Sequence, residues 1–522
     1  MTEASIPRSH WLLLAAAALL GFFSQTWNTP LFDLDEGAFS EATLEMLGSG
    51  NYLTTTLDGE ARYDKPILIY WLQAASVKLL GADEFAFRLP SALCATLWML
   101  ATLSFTRRYA GGARSGLFAA MAVALGLMSS VIGHAAIADA LLDLLLALTC
   151  FDLWRHLDSG RRLPLLRCYA WIGLGFLAKG PVAMLLPAAT SALFCAWQHR
   201  WRDWLRAALD PQGWLLMLVV LSVWLVPLWR YDHGVFLEHF LIAHNLHRYA
   251  ATLQGHGGQP WYYLVWLPLV VLPFSALLPQ ALAPALSRKR TPLQGYLLIW
   301  FGIVFVLMSA SATQLPHYLL YGCPGLFVLF GQVCERAPAR WLALTPALLL
   351  AALLAALPWL LPLVHLSPQH EFEAGIVHLA ERRLGNDYRW LAFGNLFTVL
   401  ALIAWPGLAA WRALLAAAFA QGAIVWFGVV PALAAAQQQP VKTAALRARD
   451  LGLPTVTYDT YLPSFSVYRG APTPHRLPRP GELVFLRRDR IDALQRALGG
   501  VRLAREYQSG GIVLYLYPAN VR

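Results

Sequence analysis

The chain reads as an all-α polytopic membrane protein of about thirteen spans, with helices in an exported loop and a small α/β domain at its C-terminal end. Three observations predict this. The 522 residues are 58% hydrophobic and only 13% charged, more apolar surface than soluble cores bury. Apolar runs of membrane length recur along the chain, and basic clusters fall in every second connection between them. The net charge of +10 therefore reads as topology signals rather than a nucleic-acid stripe, and no nucleic-acid partner is expected.

The candidate spans centre on 11–27, 86–105, 115–133, 136–154, 165–179, 181–197, 214–230, 261–280, 294–311, 318–334, 341–363, 390–408 and 411–430. Ser24-Gln25-Thr26-Trp27 offers no small-x-small cleavage site, so the first is an uncleaved span. Pro181 interrupts an otherwise continuous pattern and divides the fifth from the sixth. Arg8, Arg107, Arg108, Arg114, Arg155, Arg161, Arg162, Arg200, Arg202, Arg206, Arg288, Lys289, Arg290, Arg336, Arg340 and Arg412 fall on one side. That places the N-terminus in the cytoplasm and, with an odd count, the C-terminus outside. The six cysteines lie in or beside apolar runs without CxxC spacing, which predicts neither disulfide nor zinc ribbon.

Residues 1–435 thus form the transmembrane domain. Within it, the 29–85 loop is too long for a connector. Gly37–Leu47, stopped by Gly48 and Gly50, and the segment from Pro66 to Leu80 read as helices lying on the membrane. Residues 436–522 form a soluble α/β domain, with strand-like Thr455–Tyr458, Leu483–Leu486 and Ile512–Tyr517 and helix-like Val441–Leu451 and Ile491–Leu498.

The polar residues that need explaining gather on the exported side. Asp35 opens the loop helix, where an N-cap is the plain reading; Asp64-Lys65, at membrane level, argues for a cavity instead. Asp139 opens a span and again reads as a cap, but Asp143 one turn on doubles the polarity. Lys179 is a snorkelling span end or an anion ligand. Arg248 is an interfacial anchor or a bidentate phosphate partner. His317 and Tyr318 touch substrate or anchor the interface. His244, His247 and His256 with Asp64 offer zinc-type donors, although solvated loop histidines explain them as well.

Asp35-Glu36-Gly37, Glu41, Met46-Leu47, Ser49-Gly50, Gly59, Tyr63-Asp64-Lys65-Pro66 and Tyr70-Trp71 resemble the first periplasmic loop of GT-C membrane glycosyltransferases. The similarity is greatest to the lipid A 4-amino-4-deoxy-L-arabinose transferases and more distant to protein O-mannosyltransferases. It continues through Asp139, Ala178-Lys179-Gly180-Pro181, Arg248, Trp261-Tyr262-Tyr263 and Leu315-Pro316, and covers most of residues 10–330. The resemblance implies a GT-C fold in a bacterial inner membrane with a periplasmic site. It implies inverting transfer of a sugar from a polyprenyl-phosphate donor to lipid A or another envelope acceptor. Asp35 and Asp139 would be catalytic. Lys65, Lys179 and Arg248 would hold the donor phosphate, and Glu36, Tyr63, Asp143, His317 and Tyr318 would contact substrate. A divalent metal contact through Asp64 and His256 is the only cofactor it extends to. Two departures stand out: Ala38 and Gln314 occupy positions where aminoarabinose transferases carry an arginine and a lysine. A protein hydroxyl or another glycan is the alternative acceptor. A lipid transporter or flippase fits less well, because the polar residues lie to one side in long loops rather than at the midplane.

Overall fold

The computed structural model describes residues 7–240, 259–367 and 370–519. Each of the thirteen apolar segments contains helix. Five helices among the described residues are long and apolar enough to cross a membrane: Glu84–Tyr109, Pro211–Asp232, Pro292–Ser309, Arg340–Leu363 and Ala410–Gln437. The bent pairs Gly112–Leu125 with Leu127–His134 (62°) and Tyr262–Val270 with Phe274–Leu286 (111°) bring the number to seven, against about thirteen expected from the pattern. The difference lies in helices that are short, as Val182–Trp197 is, or that carry several charges, as Asp139–Ser159 does with Asp139, Asp143, Asp152 and Arg155. Helix Arg162–Lys179 ends where the pattern breaks. Gly180 follows at φ +84, and a Cβ there would stand 2.5 Å from the Phe240 ring, so both backbone and packing require glycine.

The first loop folds as helix Asp35–Ser49, a hairpin of β1 (Thr55–Leu57) and β2 (Glu60–Arg62), and helix Leu68–Leu80. Asp58 and Gly59 turn the hairpin at φ +54 and +84, the left-handed pair that a two-residue turn requires. The expectation of a helix lying on the membrane is corrected here. Residues Glu36 to Thr43 are buried in protein, because β1, helix Leu68–Leu80 and the C-terminal part of the chain all pack against this helix.

That C-terminal part is a four-stranded sheet of β3 (Thr455–Thr457), β4 (Leu483–Arg487), β5 (Ala504–Ser509) and β6 (Ile512–Leu516) in the order β3-β4-β6-β5. β3 and β4 are parallel and the other pairs antiparallel. Alternation along β4 sends Leu483 and Phe485 towards helix Gln439–Leu451, and Val484 and Leu486 towards helix Ile491–Ala497. The sheet is tied to the first loop by short polar contacts. Leu31 N donates to Tyr468 Oη (2.7 Å), whose hydroxyl donates to Glu84 (3.0 Å); Lys442 pairs with the same carboxylate at 2.5 Å. All six cysteines are buried and unpaired.

Candidate active site

Two constellations hold most of the residues singled out in the sequence. The first sits where helix Asp139–Ser159 begins. Asp139 does not cap its helix. Its Oδ1 accepts from Lys179 Nζ (2.5 Å) and Tyr321 Oη (2.8 Å), and His317 Nε2 stands 3.4 Å away. Lys179 also donates to Tyr321 Oη at 2.8 Å and lies over the Tyr318 ring, 5.2 Å from its centre. Tyr263 Oη exchanges hydrogen bonds with the Leu315 backbone (3.0 and 3.2 Å), which fixes the turn that carries His317 and Tyr318. One helical turn further in, Asp143 is wholly buried and neither carboxylate oxygen accepts a hydrogen bond among the described residues. The expected substrate contact at Asp143 thus has no exposed surface in this arrangement.

The second constellation lies in the first loop. Arg62 grips Asp64 with Nε at 2.6 Å and Nη2 at 3.0 Å, Lys65 lies 3.4 Å from the same carboxylate, and Arg62 Nη1 donates to Ala38 O at 2.5 Å. The guanidinium also sits 5.1 Å from the Phe39 ring centre. It therefore brings a cation to the backbone of Ala38. Asp35 is exposed, leads helix Asp35–Ser49 without capping it, and shares its field with Arg62, Asp64 and Tyr461 around the buried Tyr70 hydroxyl. Burial pushes the Tyr70 pKa upward despite Arg62, so the phenol stays protonated.

An aromatic chain connects the two. Tyr63 stacks on His239 (4.8 Å) and meets Phe236 edge-on (5.7 Å); Phe236 contacts Phe240 (5.9 Å), which packs against Gly180 beside Lys179. Arg248 and His256, expected at the phosphate and at a metal, fall outside the described residues.

Glu36 is corrected from substrate contact to structural clamp. It is 4% exposed and all its acceptor capacity is used. Oε1 takes Arg88 Nε and Ala136 N, both at 2.8 Å; Oε2 takes Arg88 Nη2 (2.7 Å) and Phe32 N (2.8 Å). Burial opposes its ionisation, but the Arg88 charge and these bonds outweigh it and hold the carboxyl below its usual range. Arg88 spends its other donors on the carbonyls of Thr26, Thr29 and Pro30. Sequence reading passed over Arg88, Arg62 and Tyr321. A lone arginine inside the apolar run Glu84–Tyr109 was the signal for the first, since such a charge must be paired.

Comparisons with known proteins bear on the family and the fold. The sequence model of a family described as Dolichyl-phosphate-mannose-protein mannosyltransferase matches residues 64–229. Among curated relatives is an undecaprenyl phosphate-alpha-4-amino-4-deoxy-L-arabinose arabinosyl transferase of Pseudomonas paraeruginosa, 29% identical over 62% of this chain and 59% of that protein. A protein of the same description from Pseudomonas fluorescens is 30% identical over 62% of this chain and 55% of its own length. The chain thus spans less than two thirds of the curated relatives it matches. Among solved structures, ArnT from Cupriavidus metallidurans bound to undecaprenyl phosphate superposes with a TM-score of 0.79 at 21% identity, over 98% of both chains. Its apo state gives 0.81 at 19%, again over 98% of both. The chain has the fold of these membrane transferases.

Proposed function

We propose that the chain is a membrane glycosyltransferase that moves a sugar from a polyprenyl-phosphate donor to an envelope acceptor, lipid A in the first instance, with inversion at the sugar. The observation that carries this reading is the Lys179–Asp139–Tyr321–His317 cluster, joined by aromatic rings to Tyr63-Asp64-Lys65. The curated relatives, named for aminoarabinose transfer from undecaprenyl phosphate, support it.

In the reaction the acceptor oxygen attacks the anomeric carbon as the bond from that carbon to the phosphate oxygen breaks, and the lipid phosphate leaves with the electron pair. Negative charge grows on the phosphate, so preorganised cations lower the barrier. Lys179, positioned by Asp139 and Tyr321 before substrate arrives, can pair with the negative charge that grows on the phosphate. Lys65 supplies a second cation and Arg248 a third. Asp35, exposed at the head of its helix, orients the acceptor or the sugar. A lipid A phosphate arrives ionised and needs no base, whereas a hydroxyl acceptor makes Asp35 a general base.

The same reading takes about thirteen spans in a bacterial inner membrane. The N-terminus is cytoplasmic, the site and residues 436–522 are periplasmic, and the latter form a separate α/β domain over the 1–435 membrane domain. The alternating basic clusters support the orientation. Gln314 favours a second reading in which the sugar or acceptor differs from aminoarabinose and lipid A: its side chain is buried, neutral and bonded to Ser309 O at 3.0 Å. Mass spectrometry of lipid A and of total envelope glycans, from cells with the intact protein and with Asp35→Asn, tests both readings. A sugar mass on lipid A that the variant loses supports the first, and loss from another glycan supports the second. No difference in any fraction refutes the transferase assignment of Asp35.

A further inference from the structure

Away from both constellations, Glu41, Glu45 and Asp58 converge at the junction of helix Asp35–Ser49, the β1–β2 turn and the C-terminal sheet. One oxygen from each lies within 4.8 Å of the other two. Two oxygens bound to one calcium ion are at most about 4.6–5.2 Å apart, so the spacing permits a shared coordination sphere.

Glu41 supplies a second observation, because its own environment leaves it incomplete. The residue is 2% exposed, and Oε2 is buried without a hydrogen-bond partner. Such an oxygen costs stability unless a proton or a cation meets it. The other two carboxylates are each held by hydrogen bonds, as metal-binding carboxylates are. Glu45 accepts from Thr56 Oγ1 and from Gly59 N (3.2 Å). Asp58 accepts from Ser466 Oγ (2.6 Å) and Thr473 N (2.8 Å), and His475 Nε2 stands 3.2 Å from its Oδ2.

Arg469 is the cation whose field reaches Glu41 and Asp58, yet it forms no ion pair with any of the three among the described residues. Its donors go to Thr473 Oγ1 (3.1 Å) and to the carbonyls of Ala471 (3.2 Å) and Pro472 (2.5 Å). Three carboxyl groups therefore share this junction with one guanidinium that is engaged elsewhere.

We infer that Glu41, Glu45 and Asp58 form a calcium site that pins the first-loop hairpin to its helix beneath the C-terminal sheet. All-oxygen, anionic ligands select a hard divalent ion, and the absence of nitrogen or sulfur among them disfavours zinc. With three protein carboxylates and water completing the sphere, the affinity expected is that of an extracellular module, about 10⁻⁴–10⁻³ M. Asp58 carries the constraint onward, since its outer oxygen contacts belong to Ser466 and Thr473.

The test uses the full chain in detergent, stripped with EDTA and equilibrated with radioactive calcium chloride up to about 5 mM, above the affinity range. The expected result is saturable binding of about one ion per chain, weakened about tenfold or more in Glu41→Gln. That variant is a neutral isostere which relieves the crowding of charge and keeps the fold. Calcium should raise the Tm of the intact protein but not of Glu41→Gln. Equal binding, or an equal Tm shift, in the two proteins overturns the site and leaves a proton shared between Glu41 and Glu45. Glu41-dependent binding of zinc with none of calcium also overturns it. Ion binding is read without turnover, so the outcome is independent of whether the transferase assignment holds.

Discussion

Replacing Glu36 and Arg88 together by Leu and Met should fail to rescue either single replacement, and the count of backbone partners says why. Arg88→Met leaves the Glu36 carboxylate buried without its counter-ion, a loss of about 3–5 kcal/mol. Where an ion pair bonds only to itself, an apolar pair of similar volume often restores or improves stability. This pair also satisfies Phe32 N, Ala136 N and the carbonyls of Thr26, Thr29 and Pro30. Each buried backbone group left unpaired costs roughly 1–3 kcal/mol, so the double variant should remain at least about 5 kcal/mol less stable than the parent. That is comparable with the whole stability of many domains. Thermal unfolding followed by tryptophan fluorescence in detergent reads this directly. Both singles and the double should unfold well below the intact protein, with the double no better than the milder single. A double variant with the parental Tm would refute the reasoning and reduce the pair to an isolated ion pair. Because Ala136 lies three residues before Asp139, Glu36→Asp should also lower turnover while leaving the donor KM near its parental value.

Burial pushes Asp33 up to about 7, with the Ser464 hydrogen bonds opposing, so between roughly pH 4 and 7 the folded chain holds a proton that the unfolded chain releases. Stability should therefore fall as pH rises through that window, and Asp33→Asn, whose amide can still pair with Ser464 N and Oγ, should flatten the Tm–pH profile between pH 5 and 8. An unchanged slope in the variant would show that Asp33 is ionised throughout. Lys179→Met should leave the fold intact but lower kcat/KM for a polyprenyl-phosphate sugar about 10²–10³-fold, the effect of removing one preorganised charge stabiliser. A loss under about tenfold in a membrane assay with labelled donor would mean Lys179 only neutralises Asp139.

What the sequence revealed and what it concealed divide along a physical line. Local signals were legible: Pro181 and Gly180 end one helix and begin the next, and β4 alternates as Leu483-Val484-Phe485-Leu486 demands. Charges in apolar surroundings were legible too, because Asp139 and Lys179 had to find partners there, and forty residues of sequence separate two side chains that meet at 2.5 Å. Strand β5, polar as Ala504-Arg505-Glu506-Tyr507-Gln508-Ser509, gave no alternation to detect; the β1–β2 hairpin had a turn signal in Asp58-Gly59 that the sequence reading passed over, its strands being only three residues long. The burial of Glu36 and Glu41 was hidden for a different reason. Both lie in a segment that periodicity alone assigns to a membrane surface, and distant residues enclose it: Arg88 and Ala136 at Glu36, and, some four hundred positions later, Ser464, Ser466 and Tyr468. A carboxylate's role here depends on which side of that enclosure it faces. Asp35 remains exposed, whereas Glu36, one residue on, is turned inward to Arg88 and holds the backbone that leads to Asp139.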